Sequence, residues 1–119
     1  MTTIHDFQLW LERYGQAWMA GDPDAAVQLF SADAAYYEEP FADPMVGSEA
    51  IHRYWTEGGK NGQADTAFAA TPISVDRDTG FALWRATFRR MPSATFVELD
   101  GVLSARFDER MRCTEFREW

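Results

Sequence analysis

Two adjacent carboxylates, Glu38 and Glu39, follow directly on the apolar run Ala34-Ala35-Tyr36-Tyr37. Alternation along a strand sends Tyr36 and Glu38 to one face and Tyr37 and Glu39 to the other. If one of these faces lines a core, one glutamate is carried toward an aromatic interior. A carboxyl group in such surroundings resists ionisation and can exchange protons near neutral pH, which is general acid–base chemistry. Glu38 is the preferred candidate because it shares a face with Tyr36. Glu39 is the alternative, and at this stage a strand-end glutamate in water is also open.

The rest of the sequence must supply the walls. At 119 residues the chain is long enough for one domain with one core, spanning 1–119. Its nine Phe, five Trp and four Tyr can fill that core and still line a cavity. Phe7, Trp10, Leu11, Tyr14, Ala17 and Trp18 recur at helical spacing, with Thr3 and Asp6 at capping-box positions and Gly21 as the stop. Asp22-Pro23 begins a second helix and Gly47-Ser48 a third, which Gly58-Gly59 ends. Strands are expected at 34–39, 65–76, 80–91, 95–107 and 112–118, the last four separated by short turns.

Helices followed by a run of strands indicate an α+β fold, with a curved antiparallel sheet wrapped around three N-terminal helices. The turn at Pro92 sets Phe88 opposite Val97, Trp84 opposite Gly101 and Arg85 opposite Asp100. That register gathers apolar residues on one face and pairs opposite charges on the other. The next hairpin is expected to set Leu103 near Phe116, Ala105 near Thr114 and Ser104 near Glu115. Cys113 then falls on the charged, convex face. A bulge at Gly101 would reverse the facing beyond it and bring Asp100 or Ser104 inward as another polar centre. The inner face and the helices outline a pocket of Tyr14, Trp18, Tyr36, Glu38, Trp55, Trp84, Phe88 and Thr114, mostly apolar with few polar groups.

Several functions are disfavoured. The net charge of −8 and the scattered basic residues make nucleic acid and anionic membranes poor partners. No apolar stretch has the length of a membrane span, and Met1–Asp6 does not read as a signal peptide. A single Cys113 forms no internal disulfide, so a cytoplasmic location is expected. His5, His52 and Cys113 have no metal-ligand spacing, and no metal site is expected. No nucleophile elbow or dinucleotide fingerprint is present, and no cofactor is expected.

The segments Tyr14–Asp22 (YGQAWMAGD), Ala26–Phe30 (AVQLF), Asp33–Phe41 (DAAYYEEPF), Gly47–Trp55 (GSEAIHRYW) and Leu99–Trp119 together resemble the nuclear-transport-factor-2-like superfamily, and within it the SnoaL-like proteins. The resemblance implies a cone of curved sheet and helices, usually dimeric, here through the convex sheet face. It implies a group of polyketide cyclases, dehydratases, epoxide hydrolases and ketosteroid isomerases. Against the isomerases, the helix-one tyrosine falls on Tyr14. The base falls on Glu38 counted from Phe30 and on Glu39 counted from Pro40. The second oxyanion donor falls near Leu103, which donates no hydrogen bond. The expectation is a small hydrophobic ligand, with Glu38 as acid or base and Tyr14 as donor, in an isomerase, cyclase or dehydratase or in a non-catalytic binding domain.

Overall fold

A computed structural model describes all residues, 1–119. Helix α1 (Ile4–Ala20) begins at a full capping box. The Asp6 amide donates to Thr3 Oγ1 at 3.0 Å and the Thr3 amide to Asp6 Oδ2 at 3.2 Å. The helix ends at Gly21, whose φ of 61° is the left-handed conformation that glycine adopts without strain. Asp22 caps the short α2 (Pro23–Val27). Strand β1 (Phe30–Tyr37) and the two-residue β2 (Met45–Val46) lead into α3 (Ser48–Tyr54). That helix continues as a π-helical turn over Trp55–Lys60, so Gly58 and Gly59 lie within its last turn. The strands β3 (Gln63–Asp76), β4 (Thr79–Arg90), β5 (Thr95–Phe107) and β6 (Cys113–Glu118) follow. None of the helices is long and apolar enough to cross a membrane.

The fold is α+β as the residue pattern predicts, with sheet order β2-β1-β6-β5-β4-β3. One strand pair departs from the antiparallel expectation: β1 runs parallel to β6 and sets Tyr36 beside Phe116. The chain crosses the whole sheet between those two strands, so they need no hairpin connection. The β4–β5 register runs unbroken from Thr79–Arg106 to Arg90–Thr95 and contains the expected pairs Phe88–Val97, Trp84–Gly101 and Arg85–Asp100. No bulge forms between these strands at Gly101. A Cβ at Gly101 would sit 3.2 Å from the Trp84 indole nitrogen, so the ring does lie over the glycine.

The β5–β6 hairpin differs from expectation by two residues. Leu103 lies opposite Glu118 and Ala105 opposite Phe116. The register then breaks between Arg106 and Phe107, where Phe107 meets Cys113 and Thr114 becomes the extra residue. Thr114 turns its hydroxyl to the Arg106 carbonyl at 3.2 Å. The bulge reverses the facing before it, so Cys113 is fully buried in the core and not on the convex face. On that convex face Arg85 stands opposite Asp100 and Arg106 opposite Glu115, and the ion pair that closes there joins Arg117 and Glu115 of one strand, at 3.3 Å.

The core lies between α1 and the concave face of the sheet. Phe7, Trp10, Leu11 and Tyr14 meet Ala82, Leu103, Ala105, Phe107 and Phe116 there. Small residues on β4 and β5 admit the large rings of α1. A Cβ at Gly80 would lie 2.6 Å from the Phe7 ring, which has no exposed surface into which to retreat. A Gly80→Ala variant therefore overpacks the core and loses about 1–3 kcal/mol, read as a lower urea midpoint at unchanged m.

Candidate functional site

A cavity of about 380 Å³ opens between α1, the π-helical turn, the end of β1 and the concave face of β4–β6. Its apolar walls come from periodic positions. Tyr14 and Trp18 are one helical turn apart on α1, and Trp84 and Phe88 share a face of β4. Tyr36 and Trp55 complete that part of the lining. Seven of the eight residues expected at a pocket, Glu38 included, therefore do line one. Thr114 does not, because the bulge turns it aside.

Glu38 lies one residue beyond β1, in a bend before Pro40, and is exposed at the rim. Glu39 and Asp100 are also exposed lining residues. The carboxyl of Glu38 is held above its ordinary range first by partial burial and then by the neighbouring charge of Glu39, while the Tyr54 hydroxyl acts in the other direction. Residue counting carries Glu38 to the cavity, but the strand ends too early to carry it deep.

The deep carboxyl is Glu118, which was not among the candidates. It is the last residue of β6, two positions beyond Phe116 and on the same face. The Tyr14 hydroxyl donates to its Oε1 at 3.0 Å and the Tyr36 hydroxyl lies 3.2 Å from the same oxygen. The two phenol oxygens are themselves 3.0 Å apart. Neither protein hydrogen bond reaches Oε2. Burial pushes the Glu118 carboxyl up to about 7, against the lowering effect of the tyrosines and with a further push from Glu38. Burial and the Glu118 charge raise both phenols well above their ordinary value, so each remains a neutral donor. The alternation Phe116-Arg117-Glu118 was visible in the sequence, and it puts a carboxylate on the apolar face.

Three indoles among the lining residues pack against one another. Trp18 lies 6.1 Å from Trp84 and 6.5 Å from Trp55 between ring centres, at angles of 47° and 70°. The Trp18 N–H donates to Gln63 Oε1 at 2.6 Å, which holds the ring in place. His52 is away from the cavity and pairs with Asp24 at 2.9 Å. No group of three or more His, Cys, Asp or Glu side chains is disposed to bind a metal ion.

No curated protein matches the sequence. Among solved structures it is similar to the epoxide hydrolase/cyclase-like enzyme SalBIII of salinomycin pyran-ring formation, at TM-score 0.86 and 18% identity over 100% of this chain and 93% of that one. It is similar to a hypothetical protein of ketosteroid isomerase-like fold from Catenulispora acidiphila, solved with trimethylamine, at TM-score 0.81 and 16% identity over 92% and 83% of the two chains. A computationally designed 17-OHP binder also matches, at TM-score 0.81 and 16% identity over 94% and 89%. At these identities the likeness is one of fold. The SnoaL-like domain pattern, however, matches residues 11–116, nearly the whole length, and the chain therefore belongs to the SnoaL-like domain family.

Proposed function

We propose that the cavity is the active site of an acid–base isomerase, cyclase or dehydratase acting on a small, largely apolar carbonyl compound. One observation carries the reading: a carboxyl group that burial pushes up to about 7 lines an aromatic cavity, held through Oε1 by two phenols, with Oε2 unbonded. Catalytic acids and bases work best when their pKa lies near the working pH.

The two glutamates divide the work. Glu38 is less enclosed and ionises first, so it is the base that takes a proton from the carbon next to the carbonyl. Glu118 in its neutral form donates its proton from Oε2 to the carbonyl oxygen as charge develops there. The enol then forms with no net change of charge. Return of the first proton to a different carbon, and of the second to Glu118, completes an isomerisation. Each phenol has one proton, and both hydroxyls are engaged with Glu118 and each other. Tyr14 and Tyr36 therefore act by positioning Glu118, and Tyr14 serves the oxyanion through that carboxyl. Trp18, Trp55, Trp84 and Phe88 shape the space and exclude water.

The test is deuterium uptake at the α-carbon of 3,3-dimethyl-1-phenylbutan-1-one, followed by NMR in D₂O. The protein accelerates uptake, and the rate declines as pH rises through about 7, where Glu118 loses its acid form. Glu118→Gln and Glu38→Gln each slow it by about 10²–10⁴-fold. Exchange in both variants at the rate of the parent protein would remove the mechanism. A ligand-induced rise in melting temperature without any exchange would favour a binding module in its place.

A further inference from the structure

Three tyrosines line the cavity, Tyr14, Tyr36 and Tyr54, and the proton shuttle uses only the first two. The hydrogen bonds of these phenols all run among Tyr14, Tyr36 and Glu118 Oε1. None of direct length reaches Tyr54, although its hydroxyl comes near enough to Glu38 to lower that carboxyl. Nor is the hydroxyl sealed inside the protein: the buried side-chain atoms without a partner are Trp55 Nε1, Trp84 Nε1 and Arg112 Nε. An O–H donor that lines a cavity, lacks a protein acceptor and stays reachable takes its acceptor from whatever the cavity holds.

Packing fixes this phenol in place. Tyr54 is the last residue of α3, and its ring centre lies 5.4 Å from that of Tyr36, at 52°. A Cβ at Gly58 would lie 3.8 Å from Tyr54 Cε1, so the backbone of the π-helical turn borders the same ring. Burial, and then the charges of Glu118 and Glu38, raise the phenol above its ordinary value, so it keeps its proton wherever Glu118 titrates. Because both carboxyls act on it, the hydroxyl stands beside the stretch of cavity in which base and acid must meet the substrate. A fixed, neutral donor at such a point stabilises developing negative charge without reorganisation.

We propose that the Tyr54 hydroxyl donates a hydrogen bond to the oxygen of the bound substrate, as the second donor to that oxygen beside Glu118 Oε2. The inference deepens the reading of the cavity as an acid–base site, and it rests on that reading. Glu118 transfers its proton to the oxygen, whereas Tyr54 retains its own throughout. Two donors converging on one atom call for two lone pairs. A ketone or aldehyde oxygen has them, and an imine nitrogen has only one, so the site takes carbonyl compounds and not their imines.

The Tyr54→Phe variant tests it, with 3,3-dimethyl-1-phenylbutan-1-one labelled with carbon-13 at the carbonyl. The variant keeps the ring and loses only a hydroxyl without a protein partner, so its melting temperature is expected to match that of the parent. Its kcat for deuterium uptake is expected to fall about 10²-fold, with KM changed by less than about threefold. The pH midpoint near 7 stays in place, because Tyr54 is not among the groups that shift Glu118. Tyr14→Phe, in contrast, raises that midpoint, because the Tyr14 hydroxyl holds the carboxyl down. The carbonyl signal of the ketone bound to Tyr54→Phe lies upfield of its position in the parent complex, because one hydrogen bond to the oxygen is gone. Exchange at the parent rate in the variant overturns the proposal and leaves the acid–base reading standing, and so does a carbonyl signal that does not move. An upfield shift in a protein that exchanges nothing upholds the hydrogen bond and defeats the acid–base reading. A ketone that does not bind defeats both.

Discussion

A Glu118→Gln variant melts at a higher temperature than the parent protein at pH 8, and the difference vanishes near pH 4. The unfolded chain releases the Glu118 proton near the ordinary value of 4.5, whereas the folded protein holds it to about 7. Between those values the folded state binds more protons than the unfolded state. Stability therefore falls as pH rises through that window and stays lower above it. The interval is 7 minus 4.5, or 2.5 pH units. At about 1.4 kcal/mol per unit this makes the ionised group cost about 3 kcal/mol. For a domain of this size that is on the order of 10 °C in melting temperature. Glutamine has no charge to bury, and its carbonyl accepts from Tyr14 and Tyr36 as the carboxyl does. Thermal melts at pH 4, 6 and 8 measure the effect. Parallel stability curves for the two proteins would mean that Glu118 titrates as an ordinary surface acid.

Retention of a carboxyl at this cost supports a role for its proton. Natural sites often give up stability for function, and here the same substitution is expected to stabilise the protein and stop the chemistry.

Phe116→Ala is expected to lose about 3–5 kcal/mol, a large part of the total stability of a domain this size. Phe116 is fully buried. Its ring centre lies 4.8 Å from Tyr36, 5.2 Å from Tyr14, 5.9 Å from Phe30 and 6.0 Å from Trp10. It joins α1, β1 and β6 at one point. The four surrounding rings come from α1 and β1 and have no common direction in which to collapse, so the vacated space stays open. The two phenols that hold Glu118 pack directly on this ring. Loss of the ring therefore also loosens their hydrogen bonds, which hold the Glu118 carboxyl down, and the residual titration of Glu118 should move further above the ordinary carboxylate range. Urea denaturation measures the first effect and carbon-13 NMR of the glutamate carboxyl the second. A Phe116→Leu variant, which keeps most of the volume, should retain much of the stability. A loss below about 1 kcal/mol in the alanine variant would show that the three elements are held by other contacts.

Much of the site was legible where the relevant physics is local. Thr3, Asp6 and Gly21 mark the limits of α1 because capping involves residues within one turn. Trp84 and Phe88 are assigned to the concave face because alternation has period two. Their partners Gly101 and Val97 follow from a short turn flanked by charges that pair across it. The aromatic walls could thus be named before any coordinates.

The depth of each polar group was not legible. Facing is a matter of parity, and the two-residue displacement of β6 preserves parity. Phe116 therefore faces inward under either register. Depth depends on which residue stands opposite which, and that is set by the turn after Phe107, the extra residue Thr114 and the parallel contact of β6 with β1. These contacts join residues far apart in the chain, and nothing within one strand encodes them. The sequence alone determined which faces are oily, where the helices begin and end, and that acidic groups stand near a cavity. The tertiary structure alone decided that Glu118 reaches the bottom of it while Glu38 stays at the rim, because register between distant strands is settled by packing.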